Sequence, residues 1–248
     1  MKLSRALWLV VLIPLLGMGG GQTMVSGPHR KVAPSLPIGV YQGCQAVDPV
    51  YSCTMPNDVV AGDVEVFFSF NNNMFAGVPT VNGSTQCGTG LVYWHPLQSS
   101  QPELFMGVGL SECVVPTSGP ETINVVPASG NHFLVLDVGH VAAVSPVDTS
   151  VPFTFSSSST TVSNSITTSG SGEFLIACEA YEYGNSSMAA SGGFLWSGFG
   201  AGTAFGTFRP WNCFTQTEAA AGTYPVTFTN SNAGQARGFA ATMIAIKP

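Results

Sequence analysis

Short segments in which apolar and polar residues alternate recur along this chain, and they constrain its fold more than any other feature. In the segment DVEVFFSF, residues 63–70, every second residue from Val64 onward is apolar, while Asp63, Glu65 and Ser69 occupy alternate positions. Successive side chains of a β-strand point to opposite faces of the sheet. The pattern therefore predicts a strand with one face in the core and the other in solvent.

The same two-residue period predicts further strands at 91–95, 121–126, 133–144, 160–168, 173–183, 223–230 and 238–246. Charged residues make up only 8% of the chain, too few for the polar faces of amphipathic helices. We predict an all-β fold, an antiparallel two-sheet sandwich of jelly-roll type with about a dozen strands. Segment 133–144 is apolar on both sides and is predicted to be a central strand. The sequence shows no repeat of fixed period.

The first residues are typical of a secretory signal peptide. Lys2 and Arg5 precede an apolar run of 13 residues, from Ala6 to Met18, and small residues follow it at 19–21. A bilayer-spanning helix needs about 20 apolar residues, so this run is short for a membrane span. An uncleaved N-terminal anchor remains an alternative. We predict a signal peptide over 1–21, an extended segment over 22–37 and a single β-sandwich domain over 38–248. The mature protein is expected to be secreted, periplasmic or at the cell surface, without stable membrane insertion.

Cysteine usage agrees with export. All six cysteines follow the apolar run, and an even number in an exported chain predicts disulfides. Neighbouring strands often carry neighbouring cysteines, which favours the pairs Cys44–Cys53, Cys87–Cys113 and Cys178–Cys213 among fifteen possible arrangements. No CxxC motif or Cys/His pair has zinc-ligand spacing, and no DxDxDG calcium loop occurs. The sequence predicts no metal or other cofactor.

The charge of the chain argues against nucleic acid as a partner. The formal net charge is −6, and beyond residue 31 the cations are Arg209, Arg237 and Lys247. A phosphate-binding face needs clustered Lys or Arg. The same shortage argues against an anionic membrane surface.

No set of residues forms a catalytic signature, so no enzyme activity is predicted. The GxSxG motif of serine hydrolases is missing. Asp137 and His140 lie three residues apart on one predicted strand, so their side chains are expected to point to opposite faces. A glycoside hydrolase, which needs two carboxylates, remains an alternative, and the acidic residues it could draw on are Asp137, Asp148, Glu173, Glu179 and Glu182.

Four stretches of the sequence resemble a known type of domain. The stretches are 61–70 (AGDVEVFFSF), 170–182 (GSGEFLIACEAYE), 221–229 (AGTYPVTFT) and 240–248 (AATMIAIKP). Together they are similar to exported bacterial β-sandwich domains of poorly defined function, over about residues 55 to 248. The resemblance implies a jelly-roll-like or lectin-like sandwich and brings no catalytic residue with it. The six cysteines depart from that pattern.

The most promising binding feature is a row of residues on strand 173–183. Glu179, Tyr181 and Tyr183 occupy every second position, which predicts that they share one solvated face of the strand. Aromatic rings on this face could stack on a sugar, and Trp196 could extend the surface. Packing of these aromatics in the core is the competing interpretation. We predict a secreted, non-enzymatic β-sandwich with a structural or binding role at the cell surface or in the extracellular matrix. The alternatives are a carbohydrate-binding module, a self-assembling surface protein and the hydrolase, with a glycan or further copies of the chain as partners.

Overall fold

The computed structural model describes residues 37–47, 50–71, 79–82, 95–103, 106–125, 132–156, 160–181, 188–200, 211–230 and 239–248. Residues 1–36, which contain the predicted signal peptide and nearly all of the extended segment, lie outside this part of the chain. Leu36–Pro248 forms one compact unit. Every regular element in the described ranges is a β-strand, and there are sixteen.

The strands fall into two consecutive groups of eight. The first group contains β1 (Gly39–Val47), β2 (Ser52–Thr54), β3 (Val64–Asn71), β4 (Thr80–Val81), β5 (His95–Glu103), β6 (Met106–Val114), β7 (Thr122–Asn124) and β8 (His132–Gly139). The second contains β9 (Val147–Ser156), β10 (Thr161–Thr167), β11 (Phe174–Tyr181), β12 (Met188–Ala190), β13 (Leu195–Gly200), β14 (Trp211–Thr217), β15 (Thr223–Asn230) and β16 (Phe239–Ile246). The strand pairs of the sheets are antiparallel, so the prediction of an all-β antiparallel fold is confirmed.

The two groups have the same topology. The first forms a five-stranded sheet of order β1-β8-β3-β6-β5 and a three-stranded sheet of order β2-β7-β4. The second forms sheets of order β9-β16-β11-β14-β13 and β10-β15-β12, which is the first arrangement with eight added to every strand number. Each group is therefore an eight-stranded jelly-roll sandwich, and the two are called here the first and the second sandwich. The sequence predicted one sandwich of two sheets with about a dozen strands, whereas the described residues form sixteen strands in four sheets.

Individual hydrogen bonds repeat between the sandwiches. The amide of Gly62 donates to the carbonyl of Val115 at 2.8 Å, and in the second sandwich Gly172 donates to Glu218 at 2.7 Å. The hydroxyls of Thr54 and Thr122 are 3.0 Å apart, and those of Thr167 and Thr223 are 2.9 Å apart. The edge strands β1 and β9 also depart from regular pairing at the same place. In the pair β1–β8 the register shifts between Val40 and Gln42, and in the pair β9–β16 it shifts opposite Ala245 and Ile246. The chain thus contains a structural repeat that has no fixed sequence period.

The two five-stranded sheets face each other across a shared core. Side chains of β3, β6 and β8 pack with those of β11, β14 and β16 in one apolar cluster, which contains Trp211. A second cluster fills the space between the two sheets of the first sandwich, and a third does so in the second sandwich. The central strands are consequently covered on both faces. The solvated face predicted for residues 63–70 is wrong, because Glu65 and Ser69 are buried.

The segment predicted as a strand over 133–144 is shorter than expected. Strand β8 ends at Gly139, His140 has a left-handed φ of 60°, and the side chain of Val144 is 81% exposed. A φ of this sign is incompatible with continued extended backbone. The central position of the strand is confirmed, since its two sides contribute to two different core clusters.

Two of the three predicted disulfides are present. Cys44–Cys53 joins β1 to β2 and so links the two sheets of the first sandwich, and Cys178–Cys213 joins opposite residues of β11 and β14. Cys113 is also disulfide-bonded, while its predicted partner Cys87 lies outside the described residues. In the parts of the chain that the structure covers, no helix has the length and hydrophobicity of a membrane span.

Candidate functional site

The sugar-binding surface predicted on β11 is not formed as expected. Glu179 has an exposed fraction of 0%, and its Oε1 accepts a hydrogen bond from Nδ2 of Asn212 at 2.9 Å. Burial raises the pKa of this carboxyl well above its ordinary value. The prediction of a solvated Glu179 is wrong because β11 is a central strand of a sheet covered on both faces. The side chains of Tyr181 and Trp196, and the whole of Tyr183, lie outside the described part of the structure.

A different site lies in the first sandwich, where strand β1 bulges. The bulge residue is Tyr41, whose side chain is 46% exposed and whose hydroxyl donates to the carbonyl of Pro37 at 2.6 Å. A β-bulge bends its strand and redirects the side chain of the extra residue. The cavity beside it has a volume of about 350 Å³ and is lined by Tyr41, Gln42, Asn57, Asp58, Val60, Asp63, Asp137, Gly139 and His140. We call this cavity the bulge pocket.

Gln42 and Asp137 form the polar core of the bulge pocket. They are opposite each other on β1 and β8, and Nε2 of Gln42 donates to Oδ2 of Asp137 at 2.9 Å. The Oε1 atom of Gln42 accepts from the amide of Asn57 at 2.9 Å, which ties the loop after β2 to the sheet. Asp137 is only 2% exposed, and its Oδ1 has no hydrogen-bond partner. Asp137 is therefore a pocket-lining residue whose desolvated carboxyl has one unpartnered acceptor.

Two buried glutamates continue this polar row away from the pocket. Glu65 lies opposite Asp137 on β3, and its buried carboxyl interacts electrostatically with that of Glu121, the residue before β7, while neither Glu65 oxygen has a hydrogen-bond partner. Burial, reinforced by the charge of Glu121, raises the pKa of Glu65 well above its ordinary value. Burial also raises the pKa of Asp137 from 3.8 to about 6. Gln42, Asp137, Glu65 and Glu121 are called here the acid ladder.

The end of β8 brings Asp63 and His140 to the same pocket. The backbone amide of His140 hydrogen-bonds to the Asp63 carboxylate, and the imidazole of His140 is 5.3 Å from the ring of Tyr41, centroid to centroid. Burial still raises the pKa of Asp63, against the opposing effects of His140. The sequence predicted opposite faces for Asp137 and His140. Both residues line the bulge pocket, because the strand stops before His140.

Position 139 requires a glycine because Tyr41 and Asp63 approach it closely. A Cβ atom at this position would lie 2.8 Å from two carbons of the Tyr41 ring and 3.2 Å from Oδ1 of Asp63. Real Cβ atoms do not approach other atoms at 2.8 Å, so a side chain here would displace the tyrosine. Gly39, which is opposite Gly139 on β1, has nothing within 4 Å of its Cβ position.

The second sandwich shows that the fold does not require the acid ladder. By strand register and matching hydrogen bonds, the residues equivalent to Glu65, Asp137 and Glu121 are Leu175, Ala245 and Gly222. Burying a carboxyl costs free energy, and an apolar residue at the same place costs none. The acids of the first sandwich therefore stand where folding alone would favour apolar residues, which is typical of functional sites.

At the position equivalent to the bulge pocket, the second sandwich has two carboxylates, Asp148 and Glu173, that accept hydrogen bonds from the loop before β11. The Asp148 carboxylate accepts two hydrogen bonds from Ser169, and Oε1 of Glu173 accepts from the amide of Gly170 at 2.7 Å. Lys247 attracts both carboxylates. Burial tends to raise the pKa of Asp148, but the hydrogen bonds from Ser169 outweigh it and leave the pKa lowered. These acids are thus used to hold the loop before β11.

Within the described residues, no group of three or more His, Cys, Asp or Glu side chains is placed to hold a metal ion. Comparison with protein-family models, with curated proteins and with solved structures gave no match to this chain. The chemistry of the bulge pocket is therefore inferred from the positions of its own residues.

Most residues of the bulge pocket were not predicted from the sequence. Tyr41, Gln42 and Asn57 stand in stretches without a recognisable motif, and their meeting depends on the bulge and on the loop after β2. A usable signal was present in the central strands. Glu65 and Asp137 interrupt otherwise apolar strands, and a charged residue in a strand covered on both faces has to be explained by a partner or a ligand.

Proposed function

We propose that the protein is an exported, non-enzymatic carbohydrate-binding protein and that its ligand occupies the bulge pocket. The observation that carries this proposal is the half-exposed ring of Tyr41 beside the buried acceptors of Gln42 and Asp137. Sugars are bound in proteins by stacking of a ring face on an aromatic side chain and by hydrogen bonds from hydroxyls to carboxylates and amides. The pocket combines both kinds of group in a volume suited to one or two sugar units.

Export is supported by the disulfides and by the apolar run near the N-terminus. Disulfides persist in oxidising compartments, and Cys44–Cys53 and Cys178–Cys213 are both formed. A location outside the cytoplasm gives a binding protein access to glycans of cell surfaces and matrices. No specific observation favours the self-assembling surface protein.

The test is a glycan array probed with the mature full-length protein, followed by titration of the best ligand. We expect Tyr41→Ala to weaken binding by up to roughly tenfold, because an aromatic stacking contact contributes about 0.5–1.5 kcal/mol. Leu195→Ala, which shortens an exposed apolar side chain of the second sandwich, should bind like the wild type. Equal affinity of both variants would reject the bulge pocket, and release of free sugar from the ligand would favour the hydrolase.

Gly139→Ala provides an independent test of the same pocket. The added methyl group should displace the Tyr41 ring, and we expect ligand affinity to fall roughly tenfold, which corresponds to about 1.4 kcal/mol. Gly39→Ala is the matched control, since it adds the same methyl group to the opposite residue, where there is space. Calorimetric titration of both variants measures the effect. If the two variants bind equally well, Tyr41 does not contact the ligand.

A further inference from the structure

The charge of the bulge pocket narrows the class of sugar that it can take. Three carboxylates line it, from Asp58, Asp63 and Asp137, and His140 is their only potential cationic neighbour among the lining residues. Neither Lys nor Arg lines it. Negative charge concentrated in a partly enclosed cavity attracts a cation.

The second observation is the unpartnered acceptor of Asp137, one of the residues that line the pocket. Oδ1 of Asp137 has no hydrogen-bond partner, although the residue is 2% exposed. An acceptor that is both buried and negatively charged gains most from a charged donor, because charge-assisted hydrogen bonds are about twice as strong as neutral ones. A ligand hydroxyl offers one neutral donor, whereas an ammonium group offers three charged donors.

The third observation is the equivalent place in the second sandwich. Register aligns Gly139 with Lys247 and Asp63 with Glu173. The Lys247 ammonium attracts Glu173 and Asp148 there. In the first sandwich a glycine replaces that lysine, the acid is kept, and a cavity is present. The second sandwich thus has a lysine close enough to act electrostatically on its two acids, where the first has a glycine and a cavity.

We infer that the bulge pocket binds a sugar that carries a free, protonated amine, with its ammonium group between Asp63 and Asp137. This inference rests on the proposed function and specifies its ligand. The ring of the amino sugar packs on Tyr41, and Tyr41 and Asp63 are both adjacent to Gly139. The amine is recognised by charge, so its N-acetylated counterpart, which is neutral and bulkier, is rejected.

The test compares three probes by calorimetric titration of the full-length mature protein, at a pH at which the amine is protonated and Asp63 is ionised. The probes are β-1,4-linked tetramers of glucosamine, N-acetylglucosamine and glucose. We expect the glucosamine tetramer to bind roughly tenfold more tightly than either neutral tetramer, which is the size expected for one charge-assisted hydrogen bond. Added salt should reduce this preference.

Two isosteric variants separate the role of charge from that of the fold. Asp63→Asn should abolish the preference for glucosamine over the neutral tetramers, because asparagine carries no charge and can still accept from the His140 amide. Glu173→Gln, the matched change in the second sandwich, should keep the preference, and thermal melts verify that both variants fold. Equal binding of the three tetramers, or a preference that survives Asp63→Asn, would overturn the inference and leave the proposed function standing. A protein that binds no sugar at all overturns both.

Discussion

Asp137→Asn is expected to remove a pH-dependent loss of stability that amounts to about 3 kcal/mol between pH 4 and pH 7 in the wild-type protein. The pKa of Asp137 is raised from 3.8 to about 6 in the folded state, and each pKa unit corresponds to about 1.4 kcal/mol. The folded state therefore holds this proton more tightly than the unfolded state does. Stability is unaffected by Asp137 below about pH 4, falls as the pH rises to about 6, and is constant above that value.

Urea denaturation of the wild type and of Asp137→Asn at several pH values measures this effect. Asparagine can accept the hydrogen bond from Gln42 that the carboxylate accepts, so the variant changes the titration and keeps the contact. Glu65→Leu should act in the same direction, because burial raises the pKa of Glu65 as well and leucine is the residue at the equivalent place in the second sandwich. If the pH dependence of both variants equals that of the wild type, these carboxyls do not titrate in the folded protein as proposed.

Asp148→Asn is a control for which the opposite dependence of stability on pH is expected. The pKa of Asp148 is lowered, so its carboxylate stabilises the fold above its ordinary pKa, and this contribution is lost as the pH falls. The variant should therefore be less stable than the wild type near neutral pH and similar to it in acid. A gain in stability at neutral pH would contradict the hydrogen bonding seen between Asp148 and Ser169.

Removing the disulfide Cys178–Cys213 by a double change to alanine is expected to cost about 4 kcal/mol of stability. The bond joins residues 35 positions apart, and closing a loop of that length in the unfolded chain accounts for about 4 kcal/mol. Both cysteines are fully buried in the shared core beside Trp211, so lost packing adds to the effect. Alanine is preferred to serine because a serine hydroxyl would be buried there.

The disulfide Cys44–Cys53 supplies the comparison. Its cysteines are nine positions apart, for which the same reasoning gives about 2.5 kcal/mol. Unfolding by urea of the wild type and of the two double variants should therefore rank Cys178→Ala/Cys213→Ala as the less stable variant. The reverse order would mean that the shared core between the five-stranded sheets contributes less to stability than its burial indicates.

Local sequence pattern was sufficient for the strands themselves. Segments 160–168 and 223–230 alternate clearly, and strands β10 and β15 occupy them. The pairing of Cys178 with Cys213 was also predictable, because the two cysteines lie on strands that are neighbours in the sheet. Alternation could not show how many sheets cover a strand, and this is why Glu65 and Glu179 were assigned to solvated faces and are buried.

The bulge pocket depends on contacts between residues distant in sequence. Gln42 and Asp137 are 95 positions apart, and they meet because β1 pairs with β8. The tyrosine at the bulge and the left-handed turn at His140 are irregularities of backbone that a two-residue period cannot encode. The repeat of the sandwich was hidden for a related reason. Strand order and hydrogen bonds are shared, while side chains such as Asp137 and Ala245 differ.

The sequence by itself determined that this chain forms antiparallel strands braced by disulfides, because alternation and turn residues act over a few neighbouring positions. Tertiary structure decided that the strands form two jelly-roll sandwiches packed through their larger sheets, which buries side chains that alternation alone would leave in water. It also decided that Tyr41, Asp63 and Asp137 line one pocket. Strand order and register govern which distant residues meet, and a sheet brings together positions that no local pattern relates.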